Sequence, residues 1–160
     1  MKFSRNLGAV LACLALLSGM PFFAGCGGDD DNTVQPPPTP TPTTGSIIGT
    51  AQLPPGLPGD LGNARVGIYT DLNNWQADVP ARPFSRVIGT GASVTIQEVG
   101  LTPGSYFVEV WQDTDHSGTF TANDWWGISG TPTWPSPTPS FVMVSAGGTA
   151  MVTIYLIAIP

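Results

Sequence analysis

The chain has 160 residues, of which only 10% are charged, while glycine and proline together number 20 + 17 = 37. That balance excludes a helical bundle and fits a turn-rich all-β domain with appendages. The formal net charge is −6, and from Cys26 onward three arginines (Arg65, Arg82 and Arg86) stand against eleven Asp and Glu, 3 − 11 = −8; such acidity repels phosphate backbones, argues against nucleic acid as a partner and favours cations.

Residues 1–25 read as an export signal. Lys2 and Arg5 form a positive start, and Leu7 to Phe23 is apolar apart from Ser18 and small residues. This run is short for a stable membrane span, which needs roughly 20 residues, and suits the apolar core of a signal peptide. It ends in Phe23-Ala24-Gly25-Cys26, which resembles the bacterial lipobox, with Phe23 where leucine is usual. The resemblance implies cleavage before Cys26, diacylglycerol on its thiol, and a lipid anchor to a bacterial membrane. Several acyl chains anchor stably where one alone binds marginally. Gly27 follows in place of the aspartate that retains such proteins at the inner membrane, so in a Gram-negative host the resemblance implies the outer membrane. The alternative is an ordinary signal peptide with an incidental cysteine. Cys13 leaves with the signal and Cys26 is consumed by lipid, so the mature part has no disulfide. A metal ion is one other means of holding long loops.

Residues 26–45 comprise the lipidated Cys26 and a Pro/Thr-rich linker, GGDDDNTVQPPPTPTPTTG over 27–45. Such repeats favour extended polyproline II and build no core; at about 3.1 Å per residue the linker is a spacer of roughly 50–60 Å.

Residues 46–160 form the expected domain. Ser46–Leu53 reads as the first strand, Pro54–Asn63 as a turn-rich loop, and Ala64–Thr70 as a second strand with Ala64, Val66 and Ile68 on one face. Asp71–Ala77 is a turn or a single helical turn. Phe84–Thr90 and Ala92–Val99 follow as strands, the latter with Val94 and Ile96 inward. Thr102-Pro103-Gly104 is a turn into Ser105–Trp111, the clearest strand, with Tyr106, Val108 and Val110 on one face and Phe107 and Trp111 on a partly covered other. Phe141–Val144 is a short strand, and Thr149–Ile159 closes the domain with Val152, Ile154 and Leu156 in the core. Seven to eight strands without helical periodicity predict an all-β antiparallel sandwich.

The order of these segments, with Leu101, Pro103, Gly104 and Tyr106 leading to Asp113, resembles the transthyretin-like, or carboxypeptidase-regulatory-like, Ig-like β-sandwich modules of secreted bacterial proteins. In those modules a comparable turn and strand lead into an Asp/Asn-rich loop. The resemblance implies the fold; the family serves as stalks, adhesin repeats and carbohydrate-associated modules, so it implies no single activity.

One stretch carries chemistry. Residues 113–124 read DTDHSGTFTAND. Set against the twelve-residue EF-hand loop, Asp113, Asp115 and Ser117 fall at positions 1, 3 and 5, Gly118 at the turn, Thr119 where a carbonyl ligates, Thr121 where a water is held, and Asp124 at position 12. Alternate residues direct oxygens to one centre, and the glycine turn brings the last carboxylate back across it. Calcium as a structural ion is the expectation. Phe120 at position 8 and Asp in place of Glu at position 12 depart from the pattern, and no helix flanks the loop. The alternative is a solvated turn holding no ion. His116, the chain's single histidine, points away from such an ion.

No catalytic constellation is evident: Glu98 and Glu109 lie on expected strands, and no metal-hydrolase or phosphate-binding motif occurs. The expected function is therefore non-enzymatic: a membrane-tethered structural or adhesive surface module. The alternative is a module binding a glycan or a surface protein through Trp125, Trp126 and Trp134, since exposed aromatics stack on sugars; covering an open sheet face would be their purely structural use.

Overall fold

The computed structural model describes residues 41–160; residues 1–40, with the expected export signal, Cys26 and most of the linker, lie outside the described residues. The strands are β1 (Gly45–Gln52), β2 (Arg65–Tyr69), β3 (Ser85–Arg86), β4 (Ser93–Leu101), β5 (Gly104–Gln112), β6 (Trp125–Ile128), β7 (Gly130–Thr131), β8 (Thr138–Pro139), β9 (Val142–Val144), β10 (Thr149–Tyr155) and β11 (Ile157–Ala158), with one short helix, α1 (Leu72–Gln76). Seven of these strands have three or more residues. The fold is an all-β sandwich.

One sheet runs β10-β1-β4 and the other β11-β6-β5-β2-β3, with β9 beside the start of β5. Strict alternation of buried and half-buried residues along β1 follows from its one-faced burial. Ile47, Ala51, Val94, Ile96 and Ile154 from the first sheet meet Val66, Ile68, Tyr106, Val108 and Val110 from the second in the main core. β5 is buried along nearly its whole length because its other face is covered as well. There Tyr69, Phe107, Trp111, Trp126, Ile128 and Ile159 form a second cluster, with Trp75, Phe120 and Ile157 packed on it.

The lateral openings of the sandwich are closed by segments that change sheets, as at orthogonal sheet corners. After β3 pairs with β2, Ile88 bridges to Thr95 of β4. After β10 pairs with β1, the chain changes sheets at Leu156, whose N–H donates to Gln52 O at 2.8 Å, and β11 then pairs with β6.

Three features differ from the sequence-based expectation. β1 and β10 run parallel, where every pairing was expected to be antiparallel. The reason is local: β10 enters its sheet through the Ser145–Gly148 turn, whose Gly148 O accepts from Ser46 N and whose Gly147 N donates to Thr44 O, so both strands start from the same end. Phe84–Thr90 contributes only the two residues of β3 and the Ile88 bridge. Trp125–Ile128, to which the sequence reading assigns no strand, is strand β6 and pairs with Glu109–Gln112.

Candidate metal centre

The acidic loop 113–124 joins two neighbouring antiparallel strands whose last paired residues are Gln112 and Trp125. Asp113 and Asp124 are therefore the first residues outside that ladder and start opposite each other. Asp124 is held from a third strand lane as well: Ile159 N donates to its carbonyl, and Asn123 N donates to Ile159 O, both at 2.8 Å. Inside the loop His116, Gly118 and Asn123 adopt left-handed backbone, with φ of 57°, 71° and 72°. Glycine takes this conformation at no steric cost, and asparagine tolerates it better than most residues. These reversals wind the loop inward.

Asp113, Asp115 and Asp124 converge: each offers a carboxylate oxygen, and the three lie within 4.8 Å of one another. Asp113 Oδ1 accepts from Ser117 N (3.1 Å) and its Oδ2 from Gly118 N (2.8 Å). Asp115 Oδ1 accepts from Ser117 N (3.0 Å) and Oδ2 from Thr121 Oγ1 (3.1 Å).

Asp124 differs from the other two. It is fully buried. Its Oδ2 accepts from Trp111 Nε1 (3.1 Å) and Thr121 N (3.0 Å), and its Oδ1 accepts from Thr114 N (2.8 Å); the Thr121 hydroxyl, 3.4 Å from Oδ2, gives its one proton to Asp115. A carboxylate has about four lone-pair directions, so Oδ2 is saturated and Asp124 has room for one more bond, at Oδ1. Each oxygen of Asp113 and Asp115 retains a free direction. The remaining expected ligands, Ser117 and Thr119, are adjacent, with Ser117 Oγ donating to Thr119 O at 2.9 Å. The donor set is entirely hard oxygen, which suits calcium or another hard divalent cation and not a thiophilic metal.

The loop also packs by its apolar residue. Phe120 stacks on Trp111 with centroids 4.6 Å apart, and Trp111 in turn carries the Arg65 guanidinium 4.5 Å from its centroid. The sequence alone misses this role for Trp111, which depends on a strand pairing distant in the chain.

The three tryptophans expected as a binding surface separate. Trp126 is 2% exposed, so it is corrected from a surface residue to a core one. Its Nε1 donates to Glu109 Oε1 at 2.6 Å. Trp125 points to the opposite side of β6 and is half-buried against the main core. Adjacent residues in one strand necessarily face opposite ways. Trp134 is 38% exposed, edge-on to Trp126 at 5.7 Å. It rides on the excursion Gly130–Ser140, whose ends Ser129 Oγ stitches by donating to Ser140 O (2.7 Å) and accepting from Val108 N (3.1 Å). His116 is exposed.

Among the described residues no helix is long and apolar enough to cross a membrane. No family model matches the chain, and searches of curated proteins and of solved structures likewise find no match.

Proposed function

We propose that the chain is an extracytoplasmic lipoprotein, tethered to a bacterial membrane through Cys26, whose transthyretin-like sandwich is stabilised by calcium and serves as a structural or adhesive surface module. The observation that carries the calcium part is the meeting of Asp113, Asp115 and Asp124 within 4.8 Å at the mouth of a strand pair. Three carboxylates so close repel one another, and a divalent ion between them removes that cost. Asp113 and Asp115 would be the main ligands, Asp124 a one-oxygen ligand, and Ser117 and Thr119 the source of neutral oxygens. An acidic domain with no disulfide in its mature part gains most from such a pin.

The test is a thermal melt in calcium and in chelator. An ion at 100 times its dissociation constant adds about 2.7 kcal/mol, a rise of several degrees for a domain of this size. Asp113→Asn and Asp115→Asn abolish the rise. Identical melting with and without calcium sinks the proposal. The glycan-binding alternative is left with Trp134 as its one well-exposed indole of the three; quenching of Trp fluorescence by a glycan, lost in Trp134→Ala, would favour it over the structural reading.

A further inference from the structure

The least expected group in the fold is Glu109, in the middle of β5 and 5% exposed. It faces the aromatic side of the second sheet. Its Oε1 accepts from two indoles, Trp126 Nε1 (2.6 Å) and Trp75 Nε1 (3.0 Å). Its Oε2 lies 3.0 Å from the Tyr69 hydroxyl oxygen. The same hydroxyl lies 2.9 Å from Asp78 Oδ1. The charged and titratable groups facing this cluster are Arg65 and Tyr69 from β2 and Asp78 from the chain after α1; Arg65 pairs with Asp78 at 3.5 Å.

Counting protons decides the state. A tyrosine hydroxyl has one proton to donate, yet Tyr69 Oη sits at hydrogen-bond distance from two carboxyl groups. With both carboxylates ionised, one of those contacts would be oxygen against oxygen with no proton between. A second proton resolves it. Of the two carboxyl groups, Asp78 has a 46% exposed side chain with Arg65 3.5 Å away, so it has both water and a cation as partners. Glu109 is enclosed, and an ionised carboxylate there would forgo its hydration.

We propose that Glu109 is a proton-loaded clasp: its buried carboxyl carries a proton that Oε2 donates to Tyr69, so that Tyr69 donates to Asp78, and the chain of bonds fastens the α1 segment to the sheet. The segment depends on such a fastening, since α1 buries none of its residues completely. It is held by the Trp75 indole on Oε1, the ring of Trp75 at 6.4 Å from that of Trp126, Asp78 on Tyr69, and Ala81 N on Ile68 O. Loss of the proton, taken up by hydroxide through the half-open Asp78 end, leaves a buried anion. Lifting Trp75 and α1 is the least disruptive way to let water reach it. Burial pushes the Glu109 carboxyl above the usual glutamate range, against the indole and phenol hydrogen bonds that favour its ionised form.

The sign of the pH effect follows. The folded state holds a proton that the unfolded state releases near the ordinary glutamate value, about 4.3. The clasp's stability is therefore fully present below that value and is lost as pH rises through the folded value.

Carbon-13 labelling of glutamate carboxyls tests this directly, because Glu98 and Glu109 are the chain's two glutamates. In the purified protein at pH 7, one carboxyl resonance is expected at the neutral-acid position. It should vanish in Glu109→Gln and persist in Glu98→Gln. Glu109→Gln, which keeps one acceptor and one donor on the same stem, is expected to melt no lower than the parent at pH 8 and to lose the parent's decline toward alkaline pH. Two ionised glutamate resonances at pH 7 would overturn the clasp, whether or not any variant folds. So would an unchanged pH slope in a folded Glu109→Gln.

Discussion

Asp124 and Asp115 sit in one acidic loop but do different work. The carboxylate of Asp124 is buried and accepts from Trp111, Thr114 and Thr121, so it organises the loop before any ion arrives. Replacing it by alanine leaves an indole N–H and two amides without their acceptor, a loss of about 3 kcal/mol. That loss is expected in chelator as much as in calcium. Asp115 is exposed, and its partners Ser117 and Thr121 have water as a substitute. Asp115→Asn is therefore expected to melt like the parent in chelator while losing the calcium-dependent rise. Denaturant titrations of both variants in each condition separate the two roles; equal behaviour of the two would show that the loop has no such division. The spacing of the acidic residues is legible in the sequence because an oxygen-rich loop declares itself in twelve consecutive positions. The burial of Asp124 is not, because it depends on Trp111 and on the third strand lane through Ile159.

Among the elements, the strands with plain alternation are the ones the sequence reveals. Apolar residues recur at alternate positions in each of β1 (Ile47, Ala51), β4 (Val94, Ile96) and β5 (Tyr106, Val108, Val110), and these strands lie within a few residues of their expected spans. β6 escapes notice because four residues, WWGI, are too few to show a period, and because Trp126 is buried by a layer of loops rather than by a sheet. The parallel placement of β10 escapes for another reason: direction is set by the Ser145–Gly148 turn, and nothing in the strand itself encodes it. Close approach in this pair is legible only afterwards, in Gly49. A Cβ there would meet the Val152 carbonyl oxygen and stand 2.7 Å from Val152 Cγ1. The obstacle is backbone, so β1 and β10 would have to part. Gly49→Ala is expected to cost about 2–3 kcal/mol, at the upper end for an overpacked site. A shift in stability below about 0.5 kcal/mol, within the range of ordinary surface changes, would mean that this edge of the first sheet is loose enough to yield.

At the scale of the whole molecule, two carboxyl groups on different parts of the domain pull its pH dependence in opposite directions. Asp60 lies in the loop after β1, and its Oδ1 accepts from Gly91 N (2.7 Å) and Gly62 N (2.8 Å), joining that loop to the turn before β4. These bonds, Gly91 first, hold its carboxyl below the usual aspartate range. A carboxyl depressed by folding stabilises above the unfolded value and loses that stability as pH falls through the folded one. Its influence begins below about pH 4, and because the group is fully exposed it is modest. Glu109 acts with the other sign: raised by burial, it favours the folded state most below the ordinary glutamate value and progressively less as pH rises. With chelator present to remove any ion from the acidic loop, the melting temperature is therefore expected to peak in mildly acidic solution, near about pH 4–5, and to fall on both sides. The peak lies below neutrality because the larger effect belongs to the enclosed group. Glu109→Gln should flatten the alkaline limb alone, and Asp60→Asn should soften the acid limb alone, since the two groups share no partner. A chelator-treated protein that melts highest at pH 8 would show that the buried carboxyl is ionised, and that the anion is accommodated by its two indoles and the tyrosine without cost.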